Sequence, residues 1–117
     1  MRLDFTDEAL KNIIKNFDDK QSEFIFDKLN FFAENYDKIV QTKQVERIVS
    51  SHSKMSRFKI NSDLRAFFIT FYEKQDGTII VLNVTSRQNA YDDKDIRKYE
   101  KQAVEELNKR KPKFPKR

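Results

Sequence analysis

Polar and apolar side chains alternate through Arg2-Leu3-Asp4-Phe5, as in a half-buried strand, and Thr6-Asp7 then supplies the chemistry of a helix N-cap. The spacing predicts a first helix from Asp7 to about Phe17. Leu10, Ile13, Ile14 and Phe17 recur at i, i+3, i+4 and i+7, and Asp18-Asp19 interrupts them. A longer helix is predicted from about Lys20 to Gln41, with Ile25, Leu29, Phe32, Tyr36, Ile39 and Val40 on one stripe. Phe24 and Phe31 start a second stripe, so this helix calls for two neighbours. One is the sheet, and the other is the first helix or a partner protein; the first helix is the preferred reading.

Thr42 to Lys54 reads as a polar connection, after which the period becomes that of strands. Ser56-Arg57-Phe58-Lys59-Ile60 places Arg57 and Lys59 on one face and Phe58 and Ile60 on the other. Asn61-Ser62-Asp63 is a turn. Leu64 to Lys74 and Thr78 to Ser86 are dense in β-branched and aromatic residues and are joined by Gln75-Asp76-Gly77, a strong hairpin signal. The single glycine is expected to supply a positive φ there. A last helix is predicted from about Asp92 to Asn108, with Ile96, Tyr99, Ala103 and Leu107 on one face and Asp92, Asp93 and Asp95 at its positive end. The fold class is therefore α+β: an N-terminal strand and helical hairpin packed on a small, mainly antiparallel sheet, with a C-terminal helix. No internal repeat is visible.

At 117 residues, with 38% apolar and 13% aromatic side chains, the chain suffices for one domain with a phenylalanine-rich core. No apolar run approaches the roughly 18 residues needed to span a bilayer, and the N-terminus lacks the apolar stretch of a signal peptide, so a cytoplasmic location is expected. Zero cysteines remove disulfides, thiolate catalysis and cysteine-based metal sites, and a single histidine removes most zinc chemistry. The net charge of +5 is unevenly placed. Residues 1–53 carry 8 basic and 10 acidic side chains, 54–91 carry 6 and 3, 92–108 carry 4 and 6, and 109–117 carry 6 and none. The expected organisation is a single domain over 1–108 and a flexible basic tail over 109–117, which either solubilises the protein or tracks phosphates.

Three runs together resemble the RelE/ParE toxin superfamily: Met55-Ser56-Arg57-Phe58-Lys59-Ile60, then Asp63-Leu64-Arg65-Ala66-Phe67-Phe68, then Ile80-Val81-Leu82-Asn83-Val84-Thr85-Ser86-Arg87 with Tyr91 four residues on. They are similar to that family's basic strand, its Asp-Tyr-Arg strand, and its apolar strand ending in His-Arg, three residues and Tyr. The two predicted N-terminal helices fit its helical hairpin, so the resemblance spans about residues 1–91. Ser86 stands where some nuclease members carry histidine, and Asn61 or Asp63 takes the place of the usual glycine and is expected to adopt any left-handed turn conformation. The resemblance implies a toxin of a type II toxin–antitoxin system that cleaves mRNA on the ribosome without metal or other cofactor, inhibits translation and is held by a cognate antitoxin. Its ParE branch implies DNA gyrase as the alternative target. A non-catalytic nucleic-acid- or protein-binding domain on the same fold is the third reading.

For such an endoribonuclease the 2′-hydroxyl attacks the adjacent phosphorus and charge builds on phosphoryl oxygens. Arg65 and Arg87 suit that task, because a guanidinium forks onto two phosphate oxygens and remains charged. Cross-strand pairing of these arginines with Glu73 or Asp63 is the structural alternative. Tyr91 completes the catalytic set, by stacking on a base or exchanging a proton; its alternative is to pack at the start of the last helix. Lys54, Arg57 and Lys59 are candidate RNA-backbone contacts, or a solvated sheet face. His52 is a candidate acid or base because it titrates near neutrality, or a solvated loop residue. Asp92, Asp93 and Asp95 read as helix-start carboxylates and not as a magnesium site.

Overall fold

The computed structural model describes residues 1–48 and 52–110. Strand β1 (Arg2–Phe5) leads into helix α1 (Asp7–Asn16), and α2 (Asp19–Glu34) and the short α3 (Tyr36–Ile39) follow. The Thr6 side chain accepts the amide of Ala9 at 3.0 Å, while its hydroxyl donates to the carbonyl of Leu82 at 3.2 Å, so one residue caps α1 and fixes it to the sheet. Asp18 opens α2 with a reciprocal capping box to Gln21. The single long helix expected over 20–41 is interrupted at Asn35, whose backbone leaves helical geometry and whose side chain donates to the Phe31 carbonyl at 3.0 Å. That local hydrogen bond ends the ladder in the way asparagine commonly does.

The connection read over 42–54 contains a further strand, β2 (Val45–Arg47), paired antiparallel with β3 (Ser56–Lys59). β4 (Leu64–Glu73) and β5 (Asp76–Ser86) form the long hairpin, and β1 runs parallel to β5 at the sheet edge. The five-stranded order is β1-β5-β4-β3-β2. Helix α4 (Arg87–Ala90) turns the chain after β5, and α5 (Asp93–Arg110) returns across β4 and β5.

The hairpin forms where the sequence places it, but its glycine serves another purpose. Glu73 pairs with Asp76, so the turn residues are Lys74 and Gln75, and Lys74 takes the left-handed conformation at φ 57° while Gly77 does not. Gly77 lies under Met1 and Tyr72: a Cβ there would meet the Met1 sulfur and would stand 2.8 Å from Tyr72 Cε1. Close approach, and not positive φ, is what opposes a side chain at this position, since Met1 or Tyr72 would have to move aside. Asn61 and Asp63 also keep negative φ, because the Asn61 side chain accepts the amides of Asp63 and Leu64, both at 2.8 Å, and turns the chain without a left-handed residue.

Each face of the sheet carries its own core. Under α1 and α2, Phe32 stacks on Phe58 with ring centroids 4.1 Å apart and meets Phe68 edge-on at 5.2 Å, among Ile13, Ile25, Leu29 and Val81. Under α5, Phe67, Ile69, Ile80 and Leu82 pack on Tyr99 and Ala103. A register shift between Phe67 and Phe68 marks a bulge in the β4–β5 ladder. Beside it Asn83 accepts from Asn12 of α1 at 2.6 Å and donates to the Tyr99 hydroxyl of α5 at 2.6 Å, which ties the two layers together.

The second aromatic stripe of α2 is not buried on α1. Phe24 remains 41% and Phe31 58% exposed, because the α2 face that meets the core is the one bearing Ile25, Leu29 and Phe32. Helix α5 extends to Arg110, which pairs with Asp4 of β1 and with Glu106, the latter at 3.3 Å. Lys109 and Arg110, the first residues of the segment read as a basic tail, are thus helical, and 111–117 lie outside the described residues. Among the described residues no helix is long and apolar enough to cross a membrane.

Candidate nucleic-acid interface

Helix α5 covers only part of its face of the sheet. Beyond its start, the β2, β3 and β4 side chains on that face are polar, and they form a cleft of about 140 Å³ lined by Lys43, Gln44, Glu46, Arg57, Lys59, Arg65 and Tyr91. Strand register builds it. Glu46 stands opposite Arg57 across β2–β3, and Lys59 stands opposite Arg65 across β3–β4. The alternation that sends Phe58 into the α1/α2 core therefore sends Arg57 and Lys59 into the cleft.

Arg57 is only 8% exposed. Its Nε and Nη2 donate to Glu46 Oε1 at 3.0 and 2.5 Å, its Nη1 donates to the Ala90 carbonyl at 2.8 Å, and its guanidinium carbon lies over the Tyr91 ring, 4.1 Å from the centroid. Arg65 is 7% exposed, and its Nη1 donates to the carbonyls of Asn61 at 2.6 Å and Leu64 at 3.0 Å. Neither arginine is a freely solvated side chain, and Arg65 makes no ion pair with Glu73 or Asp63. Lys59, by contrast, is exposed, and its side chain has no hydrogen-bond or ion-pair partner among the described residues.

Glu46 was not among the residues that the sequence nominated. Burial raises its carboxyl pKa, but the hydrogen bond and charge of Arg57, the hydrogen bond of Tyr91 and the charge of Arg65 outweigh that and hold it below the ordinary carboxylate value. The cleft therefore presents one ionised carboxylate among cations at neutral pH. The signal that marks it in the sequence is the alternation Val45-Glu46-Arg47, three residues whose charges complement Ser56-Arg57-Phe58-Lys59.

Arg87 begins α4, and its backbone amide donates to the Asp63 carbonyl at 2.7 Å. Its exposed side chain lines a second, shallow cleft with Asp63, Ser86, Gln88 and Tyr91, so Tyr91 forms a wall between the two clefts. Ser86, at the position where histidine stands in some nucleases of the resembled family, caps α4 by accepting the Asn89 amide at 3.2 Å. His52 and Lys54 lie elsewhere. Their loop precedes Ser56, at the end of β3 away from Lys59, and a four-residue strand separates its ends by about 10 Å. The amides of His52 and Ser53 both donate to Glu100 of α5 at 3.0 Å, which fastens this loop to the helix. Lys54 is exposed with φ 61°. The structure thus brings Arg57, Lys59, Arg65, Tyr91 and, at the margin, Arg87 together, and leaves His52 and Lys54 outside. Among the described residues no cluster of His, Asp and Glu side chains is arranged to hold a metal ion.

No protein-family model matches the sequence, and no curated protein matches it either. Among solved structures, a YoeB/ParE toxin from Agrobacterium tumefaciens superposes with a TM-score of 0.56 at 12% identity, over 74% of this chain and 99% of that one. The chain has the RelE/ParE toxin fold. A conserved hypothetical protein from Helicobacter pylori, HP0892, also matches, with a TM-score of 0.47 at 17% identity over 78% of this chain and 99% of that one. Within the RelE/ParE toxin fold of this chain, the polar cleft occupies the sheet face that α5 leaves open, and Arg65 and Tyr91 meet there across 26 residues of sequence.

Proposed function

We propose that the protein is the toxin of a toxin–antitoxin pair and acts as a metal-independent, ribosome-dependent mRNA endoribonuclease. The observation that carries this reading is the ionised Glu46 carboxylate set beside Arg65 and Lys59 in one cleft. It offers a proton acceptor where the missing histidine had left none. In the proposed reaction Glu46 takes the proton of a ribose 2′-hydroxyl as its oxygen bonds to the adjacent phosphorus. Arg65 and Lys59 face the charge that grows on the phosphoryl oxygens. The bond from phosphorus to the 5′-oxygen breaks, and the Tyr91 hydroxyl supplies that oxygen with a proton. Glu46 and Tyr91 line the same cleft, and passage of the first proton from Glu46 to the Tyr91 phenolate restores both groups. The products are a 2′,3′-cyclic phosphate and a 5′-hydroxyl. Arg87, outside the Tyr91 wall, contacts the flanking backbone.

An antitoxin is the proposed partner, and the exposed Phe24 and Phe31 on α2 offer it an apolar face distant in sequence from the cleft. Primer extension on a reporter mRNA in a cell-free translation reaction tests the activity. New ends are expected that require ribosomes and disappear with Arg65→Ala and with Glu46→Gln. Growth arrest on expression with intact mRNA moves the assignment to a gyrase-directed toxin. Intact mRNA without arrest leaves a binding domain on this fold.

A further inference from the structure

We propose that Arg57 is the positioning residue of this site, one that fixes Glu46 and Tyr91 relative to each other and does not itself bind RNA. The proposal rests on the endoribonuclease reading for its catalytic consequence and on the geometry alone for the positioning. Arg57 touches three separate pieces of chain at once: the β2 carboxylate through Nε and Nη2, the last carbonyl of α4 through Nη1, and the Tyr91 ring through the guanidinium carbon that lies over it. Helix α4 has only four residues, so its carbonyls depend on donors from outside, and Ala90 finds one in this guanidinium. An RNA phosphate seeking the same fork would have to displace Glu46 from it. Its Nε, Nη1 and Nη2 are all engaged within the protein, whereas Arg65, as deeply buried, engages only Nη1, and Lys59 and Arg87 are exposed.

Lysine cannot replace Arg57. A single ammonium on a flexible stem reaches the carboxylate or the carbonyl and lacks the forked group that meets both while lying over Tyr91. The charge at the site survives Arg57→Lys, and the arrangement does not. Around Glu46 the charged and titratable neighbours are Arg57 from β3, Arg65 from β4, Tyr91 after α4, and Lys43 and Lys59 in the same cleft. Of these, only Arg57 both hydrogen-bonds the carboxylate and contacts Tyr91.

The test compares Arg57→Lys with Lys59→Ala in the full-length protein. In the nuclease assay, Arg57→Lys is expected to lower kcat at least tenfold with KM within about twofold, and to move the acidic limb of the pH–rate profile upward. Lys59→Ala is expected to lower kcat/KM, flatten its salt dependence and leave that limb in place. Independently of any activity, carbon-13 NMR of the glutamate carboxyls in the free protein should show the Glu46 titration rising toward the ordinary range in Arg57→Lys, together with altered Tyr91 ring resonances. If Arg57→Lys fails to fold, Glu46→Gln breaks the same contact from its other end and should shift the same Tyr91 resonances. A wild type that cleaves nothing but shows these NMR changes sinks the nuclease reading and keeps the positioning. An Arg57→Lys protein that raises KM with a flatter salt dependence, or leaves the Glu46 titration unmoved, makes Arg57 an ordinary contact and overturns the proposal.

Discussion

Phe58 and Arg57 are consecutive in the chain and serve opposite faces of the same sheet. Phe58 stacks on Phe32 in the core under α1 and α2; Arg57 joins Glu46, Ala90 and Tyr91 on the face that α5 only half covers. On the first face stability comes from removing apolar area from water, and few of its packing groups have specific polar partners. On the second face nearly buried guanidinium groups are tolerated because each donates to a carboxylate or a backbone carbonyl. A one-residue slip of β3 would exchange the two sets, so the strand period that closes the core also builds the site.

The largest effect expected on either face separates them. Phe32→Ala removes a fully buried ring that stacks on Phe58 and meets Phe68, and should cost about 3–5 kcal/mol in chemical or thermal unfolding. A loss below about 1 kcal/mol would mean that the α2 core re-closes around the gap and that the two faces differ less than their packing indicates. The counterpart on the polar face is Arg65→Ala. Cleavage is expected to fall by roughly 10²–10³, the loss typical of one lost transition-state donor. Its stability should fall by only about 1 kcal/mol, because the Asn61 and Leu64 carbonyls lose one donor each near the sheet end. Activity and melting temperature measured on the same preparation check both numbers, and equal losses in the two readouts would make Arg65 a structural residue.

The two faces also differ in how far the sequence discloses them. The core face follows from periodicity. Ile13, Ile25, Leu29, Phe32 and the alternate residues of the β4–β5 hairpin are buried as their spacing requires. The site face was legible as candidate cations and Tyr91, since a strand pattern states which residues share a face and not what lies opposite them. Glu46 escaped notice because β2 has three residues, two of them exposed, at a sheet edge where no apolar alternation is needed. Arg57 could be placed on the right strand face but not known to be buried, since its partners come from β2 and α4. The α2 stripe of Phe24 and Phe31 had the spacing of a buried face and remained exposed, because periodicity reports amphipathicity and not the neighbour that satisfies it.

Gly77 sharpens the contrast at an intermediate scale, since it looks like a turn residue and behaves as a packing residue. Gly77→Ala should cost about 1–3 kcal/mol by overpacking against Met1 and the Tyr72 ring. In a Tyr72→Ser background that penalty should shrink, which a double-mutant cycle on unfolding free energies measures. An unchanged penalty would return the cause to the backbone of the hairpin.

The smallest effect concerns how the far end of α5 is held over its half of the sheet. Arg110 hydrogen-bonds Asp4 and lowers its carboxyl pKa; burial opposes the shift and the Phe5 amide adds to it. A carboxylate whose folded value lies below its unfolded one adds stability that is complete above the unfolded value, near 3.8, and is lost as pH falls through the folded value. Both partners are partly exposed, so the contribution should stay below about 1 kcal/mol and shrink with salt. Asp4→Asn should therefore melt slightly below wild type at neutral pH, and the difference should vanish once acid has protonated Asp4 in both states. The contact spans 106 residues of sequence and joins β1 to the last residue of α5. If Asp4→Asn melts with wild type at every pH, the Arg110 contact adds nothing measurable, and α5 is held by the packing of Tyr99 and Ala103 together with the hydrogen bonds that Asn83 donates to Tyr99 and that His52 and Ser53 donate to Glu100.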